Sequence, residues 1–354
     1  MRNLTLAKAR ANALRTDWES YRPPAPNSPG LTVFETVALA DLVDYIDWTP
    51  FFQTWELAGR YPKILEDPQV GSAARQLFAD ARTMLARLIA DGTLRARAVV
   101  GLWPAAARGD DVEVYTDETR DRLQSTIHFL RQQIPKPPGR PDLCLADLVA
   151  PHGSGVPDWI GGFAVTAGIG LDAIVAAYEK DHDDYSAILC KALADRLAEA
   201  AAEWLHACVR TRLWGYASDE ELDADAIIEE RYRGIRPAPG YPACPDHCEK
   251  GGLFALLGAE DNAGVCLTES FAMLPAASVS GYYFSHPQSS YFGVGRIDRD
   301  QVEDYARRRG VDVKSVERWL ATNLSYDPVE KPAGLSVEGG STVVSSAKSP
   351  ETAA

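Results

Sequence analysis

The 354-residue sequence contains no apolar run approaching the roughly 18 residues that would span a bilayer. Its start, MRNLTLAKARANALR, alternates basic and small apolar side chains without a hydrophobic stretch and does not read as a secretory signal. Basic residues are in deficit: 36 Lys and Arg against 50 Asp and Glu leave a formal charge of −14. That balance argues against nucleic acid, whose phosphates need a basic footprint, and against an anionic membrane surface. Cysteine is sparse, six in a chain large enough to bury about three quarters of its unfolded surface without crosslinks. Five of the six sit beside apolar residues and read as buried free thiols, which points to the cytoplasm. A second metal knuckle is also missing: Cys244, His247 and Cys248 stand close together, but structural zinc needs four ligands.

What is present is a mixture of helical and strand periodicities. Leu4, Ala7, Ala11, Leu14 and Trp18 step by three and four and predict a helix over 4–18, followed by the stiff linker RPPAPNSPG. Residues 65–91 and 185–210 carry apolar stripes of helices, the second being the longest, with Asp184 near its N-cap. Strands are expected at 96–102, at 112–115 beyond the Gly109-Asp110 turn, and at 163–166. SVSGYYF (278–284) and YFGVGRI (291–297) read as an antiparallel hairpin around SHPQSS, and two helices follow at 299–309 and 313–324. Beyond Pro328 the composition predicts a disordered tail, residues 329–354. The pattern lacks a βαβ rhythm, so the fold class expected is α+β with a largely antiparallel sheet. TAGIGLD, with Gly168 and Gly170, lacks the third glycine of a dinucleotide loop and reads as a helix-entry turn.

One loop stands apart. RGIRPAPGYPACPDH places prolines at 237, 239, 242 and 245 around the single Gly240. Proline fixes φ and restricts its predecessor, so this loop has little freedom left to lose. Arg236 can grip a carboxylate in bidentate fashion, and Tyr241 offers a flat ring with a polar handle. The segment suits a small ligand carrying a carboxylate and a ring, or equally a rigid structural turn. In YIDWTPFF, Asp47 lies among four aromatics and must either pair internally or meet a cation. The aromatics of 282–292 are either core or a cation-attracting surface.

Several long stretches resemble the C-terminal activation domain of cobalamin-dependent methionine synthase: YIDWTPFFQTWELAGRYPKIL, DDYSAILCKALADRLAEAAAEWLH, RGIRPAPGYPACPDH, LTESFAMLPAASVSGYYFSHPQSSYFGVGRIDRDQVEDYARRRG and VERWLATNLSYD. The resemblance runs from about Leu31 to Asp327. It implies a C-shaped single domain, a twisted antiparallel sheet flanked by helices and not a Rossmann fold, spanning 31–328. A small helical subdomain at about 62–92 and an N-terminal helix with a proline-rich linker at 1–30, either a docking arm or a helix packed on its own domain, complete the expected division. It also implies binding of S-adenosylmethionine through Asp47, Glu199, Arg236, Ala238, Gly240, Tyr241, Tyr291 and Phe292. In that assignment Arg236 clamps the ligand carboxylate. Asp47 and Glu199 receive the ammonium or ribose hydroxyls, and Tyr291 lies against the sulfonium or adenine.

The implied reaction is reductive reactivation. Cob(II)alamin held by a partner module takes an electron from flavodoxin or another one-electron donor, then a methyl group from S-adenosylmethionine. Cobalt(I) is already a nucleophile and a sulfonium already carries a leaving group, so positioning and water exclusion are the tasks left to protein. No Asp-x-His-x-x-Gly corrinoid signature occurs, so the cobalamin is expected on another domain or chain. A −14 chain repels an acidic flavodoxin at long range, so that contact would need local charges. Cys248 stands where the family usually has threonine, and Phe292 where tyrosine is common. The rival reading is a scaffold that docks a corrinoid protein without binding S-adenosylmethionine.

Overall fold

The computed structural model describes residues 4–328, so the tail expected to be disordered lies outside the described residues. Among the described residues eight strands are formed: β1 (Gly30–Val37), β2 (Arg95–Arg108), β3 (Asp111–Tyr115), β4 (Leu123–His128), β5 (Asp158–Ile169), β6 (Cys266–Leu267), β7 (Met273–Leu274) and β8 (Ser278–Tyr283). The main sheet runs β4-β3-β2-β5-β8, with β1 also on β2, and every strand pair in it is antiparallel. It does not close on itself, and the fold is α+β as expected.

The helices are α1 (Leu6–Ala11), α2 (Leu39–Leu42), α3 (Trp48–Thr54), α4 (Gly71–Asp91), α5 (Leu171–Lys180) and α6 (Asp184–Cys208). After a single π-helical turn at Val209–Leu213 come α7 (Ala224–Ile228), α8 (Glu249–Leu257), α9 (Ala259–Ala263), α10 (Arg299–Arg309) and α11 (Val313–Trp319).

The long strands β2 and β5 are buried on both faces, which is why their sequences read as near-continuous apolar runs. Side-chain alternation divides them between two cores. Ala98, Val100, Leu102, Phe163 and Val165 face a cluster with Leu193, Leu197, Ala201 and Leu205 of α6. Val99, Trp103, Ile160 and Ala164 face Leu253 and Leu257 of α8. The alanines of α6 let its backbone lie close to the sheet, and no residue that breaks a helix interrupts its 25 positions. Leu77, Met84 and Leu88 of α4 join the α6 side of the core. A third cluster joins α10 and α11 through Val302, Tyr305, Val316 and Leu320.

Three expectations are corrected. The N-terminal helix ends at Ala11 rather than residue 18, because Asn12 turns to the Arg140 carbonyl and Asp142 while Trp18 packs its ring on His286. The hairpin over 278–297 does not form. The outer edge of β8 is taken instead by the proline loop, with Tyr282 N–H donating to the Pro237 carbonyl and Phe284 bridging Ile235. The cap of α6 is Asp183, which accepts from Ser186 N–H, with Asp184 next to it as expected. The last helix stops at Trp319, and a 3-10 turn covers Ala321–Asn323. Gly170, at φ 90°, is the helix-entry turn of α5.

Candidate functional site

Four segments that are distant in sequence converge on one cavity of about 520 Å³. Its walls come from Glu199 of α6, from Glu230 after α7, from the proline loop with Arg236, Pro237, Ala238, Tyr241, Pro242 and Ala243, and from Val279, Tyr291 and Phe292. The size lies within the range of about 300–1,000 Å³ usual for small-ligand sites.

The proline loop is held at both ends. Pro237 is pinned by Tyr282 N–H at 2.8 Å, and the carbonyl of Pro242 accepts Val294 N–H at 2.8 Å. Within the loop Gly240 N–H donates to the Cys244 carbonyl at 2.7 Å. Gly240 has φ 93°, and a Cβ there would meet the His247 ring at 2.2 Å, so both the conformation and the space call for glycine. Gly240 therefore shapes the loop from behind the cavity wall. The segment after β8 is tied to the same loop, because the Tyr291 hydroxyl accepts Arg236 N–H at 3.1 Å.

Arg236 is the electrostatic centre. Its Nη2 donates to Glu203 Oε1, one turn of α6 beyond Glu199. The pair is mostly enclosed, with side chains 18% and 16% exposed. Two polar atoms of the pair, Arg236 Nε and Glu203 Oε2, are buried without a hydrogen-bond partner. Burial opposes the guanidinium charge, but Glu203 and the neighbouring tyrosines outweigh it, and the pKa of Arg236 is raised. The arginine is thus cationic with donor capacity to spare. Beneath it His206 is fully buried, its ring stacked on Tyr283 and edge-on to Tyr232. Burial, with Arg210 and Arg236 nearby, drives the His206 pKa well down, so the ring is a neutral support. At the rim Tyr241 is 61% exposed and offers a free aromatic face.

Residues 38–310 match the family model of the vitamin B12 dependent methionine synthase activation domain. The chain belongs to this family. Among solved structures, the crystal structure of the MetH reactivation domain bound to AdoHcy is 55% identical, with a TM-score of 0.90, over 92% of this chain and 100% of that one.

Of the positions the resemblance pointed to in this activation domain, Glu199, Arg236, Ala238, Tyr241, Tyr291 and Phe292 line the cavity together. Asp47 is not in that lining: half-buried, it caps α3 by accepting Thr49 N–H at 2.9 Å, while its aromatic neighbours Trp48, Phe51 and Phe52 are core. Sequence reasoning missed Glu203 and Glu230. A signal for Glu203 existed, since it lies four residues from Glu199 and shares its helix face.

The remaining motifs are absorbed by structure. All six cysteines are unpaired, five of them buried. Asp246, inside the Cys-Pro-Asp-His-Cys run, pairs with Arg309 and accepts the Tyr305 hydroxyl. Arg308 pairs with Asp111 and Asp304. Among the described residues no helix is long and apolar enough to cross a membrane.

Proposed function

We propose that this activation domain binds S-adenosylmethionine in the cavity around Arg236 and presents its methyl group to cobalamin held by the cobalamin-binding module of methionine synthase. The observation that carries the reading is the pairing, in one cavity, of a cation with an unused buried donor and a rim of three aromatic rings. S-adenosylmethionine carries the complementary parts, a carboxylate at one end and a flat purine at the other. AdoHcy, bound by the 55% identical MetH reactivation domain, is the same molecule without the methyl.

Arg236 would hold the carboxylate through charge-assisted hydrogen bonds. Tyr241, Tyr291 and Phe292 would pack the adenosine and keep water from the sulfonium. Glu199 would accept from ribose hydroxyls, and Ala238, which carries no bulky side chain, leaves room beside them. Bound by its own module, the cobalamin supplies the cobalt nucleophile, with flavodoxin or another one-electron donor restoring its reduced state. This chain's contribution is binding and orientation.

We assign the activity to residues 31–328, with 1–30 as an N-terminal helix and proline-rich linker and about 62–92 as a small helical subdomain. The six unpaired thiols suit a reducing compartment, and we place the chain in the cytoplasm. The test is calorimetric titration with S-adenosylmethionine, followed by transfer of a labelled methyl group to cobalamin on the partner module under reducing conditions. Saturable binding with label transfer supports the reading. Docking of the cobalamin module without any S-adenosylmethionine binding would establish the scaffold alternative.

A further inference from the structure

The segment that brings Tyr291 and Phe292 to the cavity has no strand or helix of its own: residues 285–293 leave the sheet after β8 and reach the wall through a turn at 287–288. His286 fixes that turn. Its carbonyl accepts Ser289 N–H at 2.9 Å, and its ring Nδ1 accepts Gln288 N–H at 3.1 Å. The ring is buried, and burial, with Arg233 nearby, pushes its pKa down to about 4, so Nδ1 remains an acceptor at neutral pH. Nε2 is buried without a hydrogen-bond partner. Packing therefore has to locate the far edge of the ring.

That packing comes from the N-terminal segment. Trp18 and Tyr21 meet His286 edge-on, with ring centres 5.1 Å and 4.8 Å away. Arg233 closes the clasp, its Nη2 donating to the Tyr21 hydroxyl at 2.6 Å and its Nε to the Ser285 carbonyl at 3.1 Å. Between Arg233 and Arg236, Ile235 exchanges backbone hydrogen bonds with Phe284 at 3.0 and 3.1 Å. The clasp thus reaches both pieces of chain beside the cavity, the proline loop through Arg233 and the aromatic segment through His286. Those pieces meet again at the wall, where the Tyr291 hydroxyl accepts Arg236 N–H.

The strap is fastened independently on either side of the clasp. The Asn12 carbonyl accepts Asp142 N–H at 2.9 Å, the Pro24 carbonyl accepts Trp214 Nε1 at 2.9 Å, and Ser28 N–H donates to the Leu213 carbonyl at 2.8 Å. Removing one ring of the clasp leaves these ties in place. Trp18 and Tyr21 are not part of the cavity lining, and the family resemblance, which begins at about Leu31, gives them no role.

We propose that Trp18 and Tyr21 are positioning residues for ligand binding: by gripping His286 they hold the 285–291 turn so that Tyr291 keeps its place beside Arg236. The inference rests on the S-adenosylmethionine reading and adds to it a contribution from outside the cavity.

Calorimetry with S-adenosylhomocysteine on the full chain tests the coupling. Trp18→Ala is expected to weaken binding about three- to tenfold, as for loss of an edge-on ring contact, and Trp18→Phe to keep most of the affinity. In a Tyr291→Ala background Trp18→Ala is expected to cost nothing further, because no ring remains to be positioned. A purely structural role would not produce that non-additivity. Equal losses in the two backgrounds overturn the proposal, and so does unchanged affinity in Trp18→Ala. Titrations are made below the melting transition of each variant. Should Trp18→Ala not fold, Tyr21→Phe, which removes only the hydroxyl bonded to Arg233, goes through the same cycle under the same criteria. Wild-type binding with additive losses brings down the role of the clasp alone, whereas absence of wild-type binding brings down the broader reading with it.

Discussion

Replacing Arg236 tests both the site and the reason it is built as it is. Arg236→Ala removes the cation assigned to the ligand carboxylate. A charge-assisted pair of this kind is worth about 1.5–3 kcal/mol, equivalent to a rise in Kd of about 10- to 150-fold. The same change strands Glu203, whose Oε2 already lacks a partner. Breaking a fully buried pair costs about 3–5 kcal/mol. Here the side chains keep 18% and 16% exposure, so a stability loss of about 1–3 kcal/mol is expected. The two effects separate in a double variant. Arg236→Ala with Glu203→Gln no longer holds an unpaired charge, so most of the stability returns while affinity stays low. Urea denaturation and calorimetry on the wild type, both single variants and the double variant measure the whole cycle. Wild-type affinity in Arg236→Ala would falsify the carboxylate assignment. Recovery of affinity in the double variant would mean that the first loss was only structural.

Three further outcomes follow from local geometry. Gly240→Ala forces a Cβ onto the His247 ring at φ 93°, so it is expected to lower stability by on the order of 1–3 kcal/mol and to weaken ligand binding as the loop shifts. Gly92→Ala, left-handed but with open space around it, is the control that leaves binding unchanged in the same melts and titrations. Burial raises the Asp158 carboxyl from 3.8 to about 7 against the pull of two backbone N–H donors, so the folded state keeps a proton that the unfolded chain releases. Stability therefore falls as pH rises from about 4 to about 7, with a slope of up to ~1.4 kcal/mol per pH unit. Asp158→Asn should remove that slope from denaturation curves collected across the window. Arg131, 3% exposed, is paired with Asp110 and Asp147. Arg131→Ala should cost about 3–5 kcal/mol in urea denaturation, and a much smaller loss in Arg131→Met, which keeps the volume and removes the charge, would show that packing, not charge, dominates there.

The elements legible in sequence were those whose signal is local. Helix α6 showed in apolar spacing, β2 with β3 in the Gly109-Asp110 turn, and the proline loop in its own stiffness. What was hidden depends on which surface meets which. The aromatic segments 278–284 and 291–297 have the composition of a hairpin, yet Pro237 and Ile235 occupy the edge that the second strand would have used. Glu203 belongs to a helix rich in charge, and only the rotation of α6 against the sheet turns it toward Arg236. Glu230 sits in the run ADAIIEERYRG, where two adjacent glutamates look alike. The left-handed turn that sends one outward to Arg60 and the other into the cavity is set by the end of α7 and leaves no mark in residue type.

The Arg236–Glu203 pair also bears on how a ligand carboxylate would be received. A lone guanidinium in this wall would be free to turn toward solvent, and binding would then have to immobilise it at an entropic cost. Glu203 holds it in place beforehand, but a carboxylate already on the arginine also competes with one arriving. The planar fork resolves the conflict. Glu203 engages Nη2, while Nε remains buried and unpaired, so a second carboxylate could add to the guanidinium without displacing the first. Two carboxylates around one cation leave a net negative charge, and that surplus favours a ligand that brings its own cation. S-adenosylmethionine brings two, an ammonium and a sulfonium, and loses the second when the methyl group leaves. A cavity balanced in this way should hold the methyl donor more tightly than the demethylated product, with the preference shrinking as salt screens the exposed Glu230. Equal affinities for the two at low salt would mean that the acids do not sense the sulfonium, and would leave shape alone to tell donor from product.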